Sequence, residues 1–458
     1  MIYGLIFVEF FLLILALSLN DYEILSPSVI VSIMWLFSTI CASYNIETWG
    51  IALHTNTFIV ITFGIFMFIF IGFVARKVPT LSVSNYRFNR ISIGNRNFVN
   101  HSIHINWAIV IMLVLLGVIT VLLQYRWLVS AAGGVGSWTD MMDDYRNETG
   151  SYNENAEAKP SILSNLEFLL RVSTYILTYV AIYNIIHGKA DKKHLLIAPL
   201  PLCYIADKIL NAGRGDILIY FGAVVLMFYV MTQQKVGWKR KVSRKFINVL
   251  FVCGFSILFL FSASRALVGR KDQTDPVYYI TRYAGGSIEL FDLFLQDKKM
   301  MNDKAIFGKE TLAPLMNFLG KKMNIPQWVY IHHLEFRSHN GARLGNVYGA
   351  FRYYIHDFGY VGFVVLTILS SVFHNRLYKY VRSLKTVSSD GFDWVVFVYM
   401  FFAPALFMHS IADYTYPYLA AFNYNIKFVV FAVIVKLAVV NFKGNKLSIG
   451  RHKVKIMV

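Results

Sequence analysis

Residues 57–75 read Thr-Phe-Ile-Val-Ile-Thr-Phe-Gly-Ile-Phe-Met-Phe-Ile-Phe-Ile-Gly-Phe-Val-Ala, and Arg76 and Lys77 follow at once. The stretch carries no charge and no polar stripe of the kind a surface helix shows. A helix of roughly 20 such residues crosses ~30 Å of hydrocarbon, and the basic pair at its end belongs at a membrane–water interface. This reading decides the fold class. It is the pattern of a transmembrane helix.

Similar runs recur near 1–19, 28–44, 106–123, 162–186, 195–210, 217–232, 246–262, 359–373, 394–408 and 426–441. The chain is 56% hydrophobic and 15% charged, with a mean hydropathy of +0.51, too apolar for the surface of a soluble protein of 458 residues. The expected architecture is all-α, a polytopic bundle of about eleven spans. Met1–Leu19 lacks a basic leader region and a small-residue cleavage site, so it reads as a retained span. Cys41, Cys203 and Cys253 all sit in apolar runs, which implies neither a disulfide framework nor a zinc site.

The formal charge of +18 raises the question of nucleic acid, but the loops account for it. One set is basic: Arg76, Lys77, Arg87, Arg90 and Arg96; Lys189, Lys192 and Lys193; Lys235, Lys239, Arg240, Lys241, Arg244 and Lys245. The set continues with Arg376, Lys379, Arg382 and Lys385 and ends with Lys443, Lys446, Arg451, Lys453 and Lys455. Loops 45–56 and 409–425 have no Lys or Arg, and 211–216 has only Arg214. The positive-inside rule then places the C-terminus in the cytoplasm and the N-terminus outside. Loop 20–27, with Asp21 and Glu23, breaks the pattern. The partner expected is a lipid bilayer, with no nucleic acid.

The organisation is N-terminal transmembrane helices over 1–123, a first long external loop over 124–160, further transmembrane helices over 161–262, a large external loop over 263–358, C-terminal transmembrane helices over 359–441 and a basic cytoplasmic tail over 442–458. The 263–358 loop is large enough for a small domain, with helix-like spacing in Ser287–Gln296.

Ionisable residues within or beside spans are expensive, roughly 2.5–3.5 kcal/mol at the centre, and mark function or pairing. Glu167 and Arg171 are four apart and can pair. Asp207 and Lys208 close one span; Arg214 and Asp216 occupy the turn Asn211-Ala-Gly-Arg-Gly-Asp216; Arg265, Arg270 and Lys271 follow another. All lie toward the outer side in this topology. A transporter tends to keep such charges near the midplane, whereas an enzyme acting on a lipid diphosphate needs them at head-group level. Arginine suits that task, because its planar fork binds phosphate oxygens bidentately and keeps its proton. The flanking glycines let backbone approach closely.

The turn Asn211–Asp216 resembles the small-Ser-Arg-Gly turn of bacterial O-antigen ligases and polymerases. Asn346-Val-Tyr348, followed by Tyr354-Ile-His-Asp-Phe-Gly-Tyr-Val-Gly362, resembles the segment leading into a late span there, with Asn346, Tyr348, Asp357, Gly359 and Gly362 fitting. The chain looks most like the Wzy-type oligosaccharide repeat-unit polymerases, with a GT-C-like bundle and a long external loop. Gly345 stands where a ligase usually carries its functional histidine, and His339 and the His356-Asp357 pair are the nearby replacements.

The resemblance implies a membrane glycosyltransferase. It would transfer a growing glycan from undecaprenyl diphosphate to a hydroxyl of a second lipid-linked repeat unit, building O-antigen or capsule outside a bacterial inner membrane. A flippase and a chain-length regulator of the same pathway would be its partners. The expected assignment puts Arg214 and Arg265 on the diphosphate, with Arg282 and Arg352 in support and the Glu167/Arg171 pair beside them. His339 or Asp357, with His356 adjacent, acts as base, and Asn346 and Tyr348 position sugar hydroxyls. The competing readings are an O-antigen ligase and a lipid-linked oligosaccharide flippase.

No cofactor or metal is expected. Asp140, Asp143 and Asp144 match no tight ligand spacing and read as an acidic loop, and His332-His333-Leu-Glu335 lacks the His-Glu-x-x-His order of a zinc site. Trp127, Trp138, Trp328, Tyr414, Tyr416 and Tyr418 read as an interfacial aromatic belt, with sugar stacking a second role for Trp138 and Trp328.

Overall fold

Apolar runs dictate helices, because hydrocarbon leaves backbone amides no partner outside their own helix. In chain order the helices are α1 (Ile2–Leu19), α2 (Pro27–Ser43), α3 (Ile46–Trp49), α4 (Thr55–Lys77), α5 (Trp107–Ala131), α6 (Trp138–Thr149), α7 (Ser161–Ile186) and α8 (Pro199–Leu210). There follow α9 (Arg214–Lys235), α10 (Arg244–Ala263), α11 (Pro276–Gln296), α12 (Ala313–Met323), α13 (Ala350–Ser383), α14 (Trp394–Phe402), α15 (Thr415–Ala420) and α16 (Phe422–Val439). Short antiparallel strands pair β1 (Arg90–Ser92) with β4 (Thr386–Ser388), and β2 (Arg337–His339) with β3 (Ala342–Gly345). The computed structural model describes residues 1–79, 90–92, 102–134, 136–149, 159–238, 244–269, 274–297, 307–329, 334–384, 386–388, 390–440, 448–449 and 452–453. Arg87, Arg96, Lys239, Arg240, Lys241, Arg270, Lys271, His332, His333, Lys385, Lys443, Lys446, Arg451 and Lys455 lie outside the described residues.

Among the described residues, seven helices are long and apolar enough to cross a membrane: α1, α4, α5, α7, α9, α13 and α16. The chain is therefore a helical, multi-pass membrane protein. The expected span at 195–210 becomes a 3-10 turn, Lys192–Ile197, and then α8. At 1.5 Å per residue α8 rises only ~18 Å, too little to cross alone. The expected span at 359–373 is the middle of α13, whose helix breaks at Gly359 with φ 66° and ψ −170°. Only glycine adopts that conformation freely.

Loops gather on two faces. On the basic face, Asn106 N–H donates to Val439 O at 2.7 Å, Ile103 N–H to Asn184 Oδ1 at 2.8 Å, and Arg376 to Ala75 O at 3.2 Å. The acidic loop that broke the sequence pattern lies there too, with Asp21 and Glu23 each 3.1 Å from Arg382. On the opposite face, Gly349 N–H donates to Ile411 O at 3.0 Å, and Asn340 Nδ2 to Thr48 O at 3.4 Å.

Segment 263–358, read from sequence as a loop able to form its own domain, instead contributes to the bundle. Pro276 and the Asp275 side chain, which accepts from Val277 and Tyr278 N–H, start α11. The helix packs along α2, and Asp292 reaches α4, accepting from His54 N–H at 3.0 Å and the Thr57 hydroxyl at 2.5 Å. The closest approach is at Gly285, where a Cβ would lie 2.4 Å from Ala42 N and 2.6 Å from Cys41 C.

Backbone cannot yield there as a flexible side chain would. Gly285→Ala is expected to cost about 1–3 kcal/mol through overpacking. Gly4→Ala, whose Cβ would meet only Phe58 at 3.8 Å, is the neutral control. Thermal unfolding of both in detergent checks the contrast, and equal melting temperatures would refute it.

Candidate functional site: three charged groups along one helix

The turn joining α8 to α9 is held from two sides. Asn211 Nδ2 donates to Asp207 O at 2.8 Å and to Glu167 at 3.2 Å, while Lys159 Nζ reaches Asn211 Oδ1 at 2.5 Å and Glu167 at 2.7 Å. Arg171 lies 3.4 Å from Asp216. The expected Glu167–Arg171 pair is thus a correction: each takes a partner from elsewhere. Four-residue spacing put them on one face of α7, and that face grips both ends of the turn. A Cβ on Gly215 would lie 3.1 Å from the Tyr414 hydroxyl, a close approach between the turn and the Tyr414 side chain.

This turn sets Arg214 into an aromatic box. Its side chain is buried, donating to the Tyr279 hydroxyl at 2.7 Å, to Phe261 O at 3.2 Å and to the Tyr283 hydroxyl at 3.4 Å. The guanidinium sits 4.3 Å from the Phe261 ring centroid. Arg265 lies 4.7 Å, Arg282 5.4 Å and Arg214 5.6 Å from the centroid of the same Tyr279 ring. Each such contact is worth roughly 0.5–2 kcal/mol. Among the described residues, no carboxylate lies at ion-pair distance from Arg214. Three guanidinium groups thus gather around one tyrosine ring. Of the sequence-derived residues, the structure brings together Arg214, Arg265 and Arg282.

Arg352 is elsewhere. It is fully buried, pairs with Glu310 and lies 3.0 Å from Glu335, and its guanidinium sits 5.0 Å from the Phe294 ring. Phe294 is fifteen residues beyond Tyr279, hence about 22 Å along α11. Bracketed by two carboxylates, Arg352 is a structural cation, and its expected place beside Arg214 is corrected. Tyr348 is buried against it and donates its hydroxyl to Glu335 O at 3.0 Å, so that hydroxyl is committed to backbone. Asn346 is half-buried.

Asp357 is likewise occupied. Its Oδ2 accepts from Glu310 N–H at 3.0 Å and Thr311 N–H at 2.7 Å, and its Oδ1 faces His356 Nδ1 at 3.1 Å. Glu310, His356 and Asp357 offer ligand atoms within 4.8 Å of one another, a spacing a cation would accept. The amides, Arg352 and His356 already supply those oxygens with donors. In the first long loop, Asp143 pairs with Arg146 on α6, and Trp138 donates to Leu267 O at 3.1 Å.

Between the two ends lies a third group. His339 Nδ1 is 2.8 Å from Glu289 Oε1, and His54 Nδ1 is 2.7 Å from Asp292 Oδ2. Sequence reasoning missed Tyr279, Tyr283, Glu289, Glu310 and Glu335 as parts of these groups. The Tyr279/Tyr283 spacing on one helical face was available as a signal; the others depend on tertiary contacts. Comparison with protein-family models, curated proteins and solved structures gives no match.

Removing Arg352 leaves Glu310 and Glu335 with uncompensated charge. Arg352→Ala is expected to lose roughly 3–5 kcal/mol of stability, and adding Glu310→Gln to recover part of it. An unchanged melting temperature in detergent would show the network to be dispensable.

Proposed function

We propose that the chain polymerises oligosaccharide repeat units carried on undecaprenyl diphosphate, in a bacterial cytoplasmic membrane, at the face opposite the basic loops. The observation that carries this reading is the buried Arg214 guanidinium, without a carboxylate at ion-pair distance among the described residues, in a ring of cations around Tyr279. A diphosphate supplies the missing negative charge and accepts several N–H donors at once. By the positive-inside rule the basic face is cytoplasmic, which puts this ring and segment 263–358 outside, where finished repeat units are joined.

The chemistry needs a leaving group stabilised as it departs. Arg214, Arg265 and Arg282 would take the charge that builds on the diphosphate as its bond to the sugar breaks, worth about 2.7–4 kcal/mol per well-placed donor. Arg214 opens α9 and Arg265 follows the end of α10, a placement at helix ends that favours an interfacial enzyme over a flippase. An O-antigen ligase shares the donor and differs in acceptor.

Arg214→Ala and Arg265→Ala, expressed at wild-type levels, are expected to abolish long polymer while single repeat units still reach the surface. Arg214→Lys should retain part of the activity, because lysine keeps the charge and loses the fork. Normal polymer from both alanine variants would overturn the reading. Repeat units trapped inside would point to a flippase, and long polymer accumulating on its lipid carrier to a ligase.

A further inference from the structure

Glu289 is a buried carboxylate that the reading above leaves unused. It sits on α11 seven residues after Arg282, so both share a helix face two turns, ~10 Å, apart. Its side chain is 1% exposed, and Oε2 has no hydrogen-bond partner among the described residues. A buried carboxylate oxygen without a donor is costly. The nearest cation-forming group is His339, whose Nδ1 stands 2.8 Å from Oε1, outside hydrogen-bond geometry, and whose side chain is 36% exposed.

The hairpin puts His339 there for local reasons. Asn340 and Gly341 have φ of 48° and 74°, the left-handed pair that a two-residue hairpin turn demands. Strand β3 then lies against α11 at Gly286, where a Cβ would stand 3.4 Å from Leu344 O. The hairpin tip reaches Thr48 through Asn340. The Nδ1 edge of the imidazole thus faces a buried carboxylate, while the side chain as a whole remains partly exposed.

We propose that His339 is the general base for the acceptor hydroxyl and that Glu289 is its positioning residue, holding the ring with Nδ1 protonated and Nε2 free. The inference rests on the polymerase reading above. In the step, the acceptor O–H bond breaks and its proton passes to His339 Nε2. The acceptor oxygen bonds to the anomeric carbon of the donor glycan, and the bond from that carbon to the diphosphate oxygen breaks. The electron pair leaves with undecaprenyl diphosphate, and the imidazolium then gives its proton to water. Asp357, the other base considered from sequence, accepts two backbone amides and faces His356, so it has no comparable opening.

Burial pushes the Glu289 carboxyl up to about 7, with Asp292 adding to the shift and His54 opposing it. The charged or titratable groups around it are His339 from the hairpin, Asp292 on its own helix and His54 ahead of α4.

The test uses the full chain in liposomes, with lipid-linked repeat units extracted from a strain lacking it. His339→Ala is expected to lower kcat by about 10²–10⁴-fold. Glu289→Gln keeps the shape and is expected to lower kcat by roughly 10²-fold through misplacement of the base, with KM little changed. In that variant the acid limb of the rate–pH profile should move to lower pH, because the protonated ring loses the carboxylate that stabilises it. Full activity in either variant overturns the inference, as does a Glu289→Gln loss with an unmoved acid limb. Arg214→Ala in the same assay separates the failures: if it is inactive while His339→Ala is normal, the polymerase reading stands and the base is elsewhere. If all three are normal, both readings fall.

Discussion

Gly285 lets one helix lie backbone to backbone against another, and the charged groups along that helix depend on the contact. With no side chain there, α11 settles onto Cys41 and Ala42 of α2. Small residues allow such approaches, where dispersion and close packing replace the hydrophobic drive that lipid cannot supply. Along the helix so placed stand Tyr279 and Tyr283 beside Arg214, Glu289 beside His339, Asp292 on the start of α4, and Phe294 beside Arg352. Moving α11 would displace all of them together.

Two buried arginines on this face differ in environment rather than in residue type. Arg352 has Glu310 and Glu335 for counter-charge and aromatic faces around it. The two carboxylates offset the desolvation of its cation locally. Arg214 has hydroxyls, a backbone carbonyl and ring faces, which satisfy its donors without neutralising its charge. Its charge has no carboxylate at ion-pair distance among the described residues.

The charge pattern of the loops carried more than composition suggested. Loops sorted in sequence by Lys and Arg content meet on one face, and the acidic 20–27 loop joins them because Arg382 binds both of its carboxylates. Loops poor in basic residues meet on the other face, together with the turn at 211–216 and segment 263–358. Hydrophobic length and interfacial charge are properties of short windows, so they survive being read one window at a time.

From sequence alone came the helical membrane class and the sorting of the loops into a basic and a non-basic set, both of which follow from local hydropathy and charge. Only tertiary structure decided that Glu167 and Arg171 clamp a turn rather than each other, that Arg352 is neutralised, and that α11 belongs to the bundle. It also decided that Glu289, unremarkable in a helical stretch of sequence, faces His339 from fifty residues on. An ion pair or a buried orphan oxygen is a relation between distant segments. Its energy depends on separation and desolvation, and neither exists until the chain has packed.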